Sequence, residues 1–166
     1  EYFNVDKLSE QAKKLEEITI DVTSINTKNY EGSTTNYARG ITLTRDSVWN
    51  TETSDKAANN IIIGGKVNIK AIADSYGNGS MASGAIGIEN QADGVHANLK
   101  NISNYITLNK AEIEIKAKNE NINGMAQSYG IFSNSTDGKS VVTLNEKSSI
   151  NATAEAAVYS IGYGIY

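Results

Sequence analysis

Cysteine and proline are both absent from the 166-residue chain, and histidine occurs once, at His96. Without cysteine the chain has no disulfide, no thiolate nucleophile and no zinc site built on cysteine. A single histidine excludes a metal site made of several histidines and any catalytic scheme that needs two imidazoles. Apolar runs are short as well, and none approaches the ~18 residues that a membrane-spanning helix needs.

The chain also has no large excess of positive or negative charge. The chain has 15 Lys and Arg against 19 Asp and Glu, a formal net charge of −4, and its isoelectric point is about 5.0. An acidic balance argues against a nucleic-acid-binding surface. Hydrophobic residues make up 39% of the chain, which is not the composition of a disordered protein. The length fits one ordinary domain or a segment of a longer protein.

Short stretches with an apolar residue at every second position are the main pattern that is present. Such alternation predicts strands with one buried face. Four stretches show it most clearly, namely 18–22, 67–71, 113–117 and 150–154. A second, similar strand pattern occurs at 41–44, 106–109 and 142–145.

A glycine followed by isoleucine recurs four times along the chain. The four pairs are Gly40-Ile41, Gly87-Ile88, Gly130-Ile131 and Gly164-Ile165. Matching positions are separated by 34 residues (Gly130 to Gly164), 37 residues (Ile115 to Ala152) and 46 residues (Ile69 to Ile115). Unequal steps predict loops of variable length between repeated strands. The predicted loops are rich in Asn, Ser, Thr, Asp and Gly, and they are 28–36, 45–60, 74–83, 91–104 and 133–140.

Strands of three to five residues cannot bury an apolar face alone. If the chain coils, each strand gains a parallel neighbour one coil away, and the inward side chains form a continuous core. The repeats therefore predict an all-β fold, a right-handed parallel β-helix (β-solenoid) over residues 18–166. An antiparallel sandwich or barrel is the alternative that the same short strands allow.

The N-terminal region has a different pattern. Residues 6–17 predict an amphipathic helix with Leu8, Ala12 and Leu15 on one stripe. We expect residues 1–17 to form a helical cap over the open end of the first coil, since a bare coil exposes strand edges. The sequence stops at Tyr166 within a strand-like element, so we expect residues 18–166 to be a fragment of a longer solenoid.

Four segments resemble bacterial autotransporter passenger domains, the β-helical adhesins and haemagglutinins of type V secretion. These segments are 106–117, 128–132, 142–154 and 159–166, with their "YGI", "GYGIY" and "VTLN" strands. The resemblance implies an extracellular protein on a bacterial cell surface, attached to a membrane only through a C-terminal barrel that this chain lacks. A shorter likeness, at 80–94, is to the left-handed rolls of trimeric autotransporter heads.

Few residues are suited to catalysis or to metal binding. His96 with Asp93 fits a general base and its partner, but no nucleophile accompanies them. Glu114 and Lys116 share one strand face and fit a carbohydrate-facing pair. Asp74, Asn78 and Asp93 are candidate calcium ligands, but the sequence has no recognisable calcium-binding loop. We therefore expect no enzyme activity, no metal and no cofactor.

Trp49 is the best candidate for a binding residue, because it lies in the longest polar loop beside Arg45 and Asp46. Tryptophan and arginine are enriched where proteins make strong contacts. We predict that the chain mediates attachment to a host-surface protein or glycan, or association with a sister copy, through its loops and flank. The alternatives are a glycan-active β-helix enzyme (a polysaccharide lyase or hydrolase) and a structural stalk that binds nothing.

Overall fold

Ten β-strands account for most of the described residues. The computed structural model describes residues 2–4, 17–27, 34–45, 58–76, 80–92, 103–135 and 138–166. Within these ranges there is no helix. In chain order the strands are β1 (Tyr2–Asn4), β2 (Glu17–Asn26), β3 (Thr34–Arg45), β4 (Ala58–Ser75), β5 (Ser80–Ala92), β6 (Ser103–Asn119), β7 (Met125–Ser135), β8 (Ser140–Leu144), β9 (Ser149–Ala156) and β10 (Tyr159–Ile165).

The strands form two sheets in which every pair is parallel. Sheet A contains β1, β2, β4, β6, β8 and β9: β4 pairs with β1 and β2 on one edge, and β6 pairs with β8 and β9 on its far edge. Sheet B has the order β10-β7-β5-β3. The chain passes through sheet A and then sheet B four times. We call each such pass a visit, and equivalent strands of successive visits are neighbours in a sheet. The prediction of an all-β, parallel-stranded fold is confirmed.

The register confirms most of the repeat alignment. Ile115 pairs with Ala152, and the pairs on either side of Gly130 place it opposite Gly164. The predicted match of Ile69 with Ile115 is wrong by two residues, because Ile69 pairs with Ile113. The pattern alone could not fix this register, since both choices keep isoleucine on the buried face.

The core lies between the two sheets, where isoleucines of sheet A face glycines of sheet B. One register position of sheet A holds Ile20, Ile69, Ile113 and Ile150. Opposite it, Gly40, Gly87, Gly130 and Gly164 occupy one position of sheet B. A Cβ on Gly40 would stand 2.7 Å from Cγ2 of Ile69, and one on Gly87 would stand 2.8 Å from Cγ2 of Ile113. Glycine here allows the sheets to approach until the isoleucine side chains fill the gap.

Several predicted boundaries need correction. Glu17 is the first residue of β2 and pairs with Lys66, so it does not end a helix; residues 6–16 of the predicted cap lie outside the described residues. The predicted loops also include strand residues at their ends. For example, Asn36 is a buried member of β3, and Asn104 is a buried member of β6. Loop-forming residue types therefore overestimate the length of the loops.

Buried asparagines hold the corners where strands of one sheet give way to the other. The Asn104 amide donates to the carbonyl oxygens of Asn90, at 3.0 Å, and of Asn134. The Asn90 amide donates to the carbonyl oxygens of Asn59 and Tyr105, both at 3.3 Å. Asn59, Asn90 and Asn104 are fully buried. The amide of each donates to backbone carbonyls of the opposite sheet, which connects the two sheets at these bends.

Candidate functional site

The residues that the sequence singled out for binding fall largely outside the described part of the chain. Asp46, Trp49, Asn78, Asp93 and His96 all lie outside the described residues. Arg45 is the last residue of β3 and pairs with Ala92. The proposal of a binding loop at Trp49, Arg45 and Asp46 therefore stays a prediction.

The outer face of sheet B carries a cluster of aromatic side chains instead. Tyr129 and Tyr163 are paired across β7 and β10 and stack with centroids 5.7 Å apart and an interplanar angle of 17°. Phe132 and Tyr166 stack at 5.4 Å and 8°. The two stacks also contact each other, since Tyr129 meets Phe132 edge-on at 5.3 Å. We call these four side chains and the exposed Tyr37 and Tyr159 the aromatic face.

The Gly-Ile pair explains why these side chains meet. Tyr129 precedes Gly130-Ile131, and Phe132 follows it. Gly130 and Ile131 are both buried, so the regular alternation is interrupted and the residues on either side of the pair project from the same face. Tyr163 and Tyr166 flank Gly164-Ile165 in the same way, with centroids 5.0 Å apart. A Gly-Ile pair between aromatics is thus the sequence signal for this cluster.

Three of the four equivalent positions in the earlier visits to sheet B hold polar residues, and the fourth holds Ile86. Arg39 and Thr42 flank the first Gly-Ile pair, and Glu89 follows the second. The Arg39 Nε atom lies 3.4 Å from Oε2 of Glu89, and the Thr42 hydroxyl donates to that same oxygen at 3.4 Å. The side chain of Glu89 is only 7% exposed, so the arginine compensates a largely buried carboxylate. Arg39 also lies over the ring of Tyr37, 5.1 Å from its centroid.

Tyr129 lies at the centre of the aromatic face, in contact with Phe132, Tyr163 and Tyr166, and is half-buried. Burial raises the pKa of the Tyr129 phenol above its ordinary value, and the neighbouring tyrosines, Tyr166 foremost, raise this pKa further. The phenol is therefore neutral under physiological conditions. A neutral phenol among aromatic rings offers a hydrogen-bond donor together with apolar area.

The outer face of sheet A differs, because its acids alternate with lysines. Asp21, Lys70, Glu114 and Asn151 share one register position across four strands and line a shallow groove of about 520 Å³. Lys66 lies 3.1 Å from Glu112 and 3.5 Å from Glu17. The hydrogen bond with Glu112 is the main cause that raises the pKa of Lys66. This face is a solvated surface of mixed charge.

Metal clusters and membrane-spanning helices are both absent from the described residues. No group of three or more Asp, Glu, His or Cys side chains there is placed to hold a metal ion. No helix long and apolar enough to span a membrane occurs in that part of the chain. The sequence predicted that Glu114 and Lys116 share a face, and the alternating burial of β6 confirms it.

Comparison with known proteins adds no relative to this description. No family model, no curated protein and no solved structure matches the chain.

Proposed function

We propose that the chain is a segment of an extracellular, adhesin-type passenger protein built as a right-handed parallel β-solenoid. Each visit to sheet A and then sheet B would be one coil, giving four coils. Equivalent strands pair in parallel at every step, as a coiled chain requires. Crossovers between parallel strands of one sheet are almost always right-handed, which supports the handedness. The likeness to autotransporter passengers supports a position on a bacterial cell surface.

The aromatic face is the observation that carries the proposed attachment function. Tyr37, Tyr159 and Tyr166 are 47%, 45% and 57% exposed, on a sheet whose glycine-isoleucine core leaves little room for movement. Exposed aromatic clusters are typical of interaction sites, since a rigid ring contributes much contact area at low entropic cost. The partner would be a host-surface protein or glycan, or a sister copy of the chain.

The stacking of the rings indicates how such a partner would be contacted. Tyr163 covers one face of the Tyr129 ring, and Tyr166 covers one face of Phe132. The ring faces inside each stack are therefore covered, and the remaining ring faces, the ring edges and the phenol hydroxyls are left for a partner. A partner would be held by hydrogen bonds to the hydroxyls and by apolar contact with the ring edges.

The charges of sheet A support attachment over cleavage of a glycan. Glycoside hydrolysis uses two carboxyl groups of distinct pKa that flank the bond to be cleaved. On this face Lys70 lies between Asp21 and Glu114, and Lys66 bridges Glu17 and Glu112. Carboxylates compensated by lysines in this way are suited to solubility. The structural stalk is the remaining alternative, and binding experiments distinguish it.

The test compares binding of the folded chain and its variants to host cells and to a glycan array. We expect Tyr159→Ser combined with Tyr166→Ser to reduce binding at least tenfold. Tyr105→Ser is the matched control, since Tyr105 is 36% exposed on a strand of sheet A. A Trp49→Ala variant tests the predicted loop site separately.

Each outcome supports either one of the two binding sites or the structural stalk. Loss of binding only in the tyrosine double variant supports the aromatic face, and loss only in Trp49→Ala moves the site to the loop. Equal binding by all variants would rule out both sites. If a wild-type chain that circular dichroism shows to be folded binds nothing, the attachment function is wrong and the stalk is favoured.

A further inference from the structure

Three tyrosines of the aromatic face contact one another in a closed triangle. The ring centroids are 5.7 Å apart for Tyr129 and Tyr163, 5.5 Å apart for Tyr129 and Tyr166, and 5.0 Å apart for Tyr163 and Tyr166. Phe132 belongs to the same cluster but carries no phenol. Each of the three phenol rings is thus in contact with the other two. These contacts lie on the outer face of sheet B, and none of them requires a free strand edge.

The register of sheet B places Tyr129 and Tyr163 directly beside each other. The two residues are partners in β7 and β10, and their rings are nearly parallel, with 17° between the planes. Neighbouring strands lie about 4.8 Å apart, so equivalent atoms of two in-register side chains are separated by about that distance. These atoms include the ring carbons next to the hydroxyl groups. Rotation about the side-chain bonds brings two such carbons together.

Other tyrosines have different neighbours. Arg39 lies 5.1 Å from the ring centroid of Tyr37, and the Lys118 Nζ atom lies 5.8 Å from that of Tyr76. Tyr105 lies on the other sheet, in β6. Among the described side chains, the triangle is the one place where phenol rings contact each other. The chain thus contains both a cluster of tyrosines and isolated tyrosines with which to compare it.

Phenols in contact are suited to oxidative coupling. A peroxidase that uses hydrogen peroxide removes one electron and one proton from each of two phenols. The two tyrosyl radicals join through a carbon–carbon bond between ring carbons next to the hydroxyl groups, and the hydrogens of these carbons move to the phenol oxygens. The two electrons and two protons reduce one molecule of hydrogen peroxide to two molecules of water. The product is dityrosine, in which both hydroxyl groups are restored.

We propose that Tyr129, Tyr163 and Tyr166 form an oxidative cross-linking site, at which Tyr129 becomes covalently joined to Tyr163 or Tyr166. The bond fastens β10 to β7 in a chain that has no cysteine for a disulfide. A link from Tyr129 to Tyr163 closes a loop of 34 residues. Such a loop restricts the unfolded chain and stabilises the folded one, as a disulfide does. The inference rests on the ring contacts and not on attachment, so a chain that binds no host cell leaves it standing.

The experiment treats the full chain, at a concentration low enough to disfavour links between molecules, with hydrogen peroxide and a haem peroxidase. Trypsin then cleaves after lysine, so that Tyr129 falls in peptide 119–139 and both of its partners fall in peptide 148–166. We expect mass spectrometry to find these two peptides joined with the loss of two hydrogens, together with dityrosine fluorescence. The melting temperature of the cross-linked chain should be higher than that of the untreated chain.

Two conservative variants provide the comparison. Tyr129→Phe keeps the ring and removes the phenol, so the yield of joined peptides should fall at least tenfold and the gain in melting temperature should disappear. Tyr105→Phe is the matched control and should leave both unchanged. A link confined to peptide 148–166, which joins Tyr163 to Tyr166, would overturn the proposal. So would the absence of dityrosine, dityrosine found only between molecules, and a cross-linked chain that melts no higher than the untreated chain.

Discussion

Ile113 occupies the space that a side chain on Gly87 would need, with its Cγ2 atom 2.8 Å from the position of that Cβ. The carbonyl oxygen of Gly130 lies closer still, at 2.5 Å. Gly87→Ala therefore has to displace both the isoleucine and a neighbouring strand. We expect it to lower the free energy of unfolding by about 1–3 kcal/mol, the usual cost of overpacking. Urea unfolding followed by circular dichroism measures this change.

A control and a second background test the reason for that loss. Gly164→Ala has room for its Cβ and should change the unfolding free energy by no more than about 0.5 kcal/mol. Ile113→Ala removes the crowding Cγ2 atom, whereas the carbonyl of Gly130 stays in place. Gly87→Ala should therefore still lower stability when it is measured relative to Ile113→Ala alone. If Gly87→Ala cost nothing in that background, side-chain crowding alone, and not the spacing of the strands, would require glycine.

The side chain of Leu108 is fully buried between the sheets, at the register position that it shares with Ile63 and Leu144. Leu108→Ala should cost about 2–5 kcal/mol of unfolding free energy, since it removes apolar contacts and leaves a cavity. Ile122 is 78% exposed, so Ile122→Ala should stay within about 0.5 kcal/mol of wild type. A similar loss for both variants, measured by urea unfolding, would contradict the placement of the core.

The sequence predicted the strands of sheet A and the repeats of sheet B well, because both depend on local periodicity. The alternating stretches at 113–117 and 150–154 lie within β6 and β9, and the Gly-Ile pairs share one register position. The aromatic face was less predictable. Phe132 and Tyr166 join Tyr129 and Tyr163 on one face only because the Gly-Ile pair between them interrupts the alternation.

Buried asparagines were the main source of error. Asparagine is typical of turns, where its side chain bonds to nearby backbone, and this property led to the prediction that 91–104 and 45–60 are entirely loop. In the structure Asn59 and Asn104 lie inside strands and bond to backbone of the other sheet. A local pattern cannot reveal such a partner, because the acceptor of Asn59 is the carbonyl of Gln91, 32 residues away.

The amide of Asn104 should therefore be more important for stability than its residue type suggests. Asn104→Ala leaves the carbonyls of Asn90 and Asn134 without this donor. We expect a loss of about 1–3 kcal/mol for a buried polar group left unpaired. Asn151→Ala is the matched control, because Asn151 is exposed on β9. Thermal unfolding of both variants measures the difference in stability. An Asn104→Ala variant as stable as the wild type would mean that water replaces the side-chain amide.

Tyr129 should make stability depend on alkaline pH. Its pKa is raised in the folded chain by burial first and by the neighbouring tyrosines second, so the folded state holds the phenol proton more tightly than the unfolded state. The stabilisation is complete below the unfolded pKa of about 10 and is lost as the pH rises through the folded pKa. Tyr129→Phe keeps the ring contacts and removes this titration. Urea unfolding at neutral and at alkaline pH should show a smaller alkaline loss of stability in Tyr129→Phe than in wild type. Equal losses would show that Tyr129 does not account for the alkaline destabilisation.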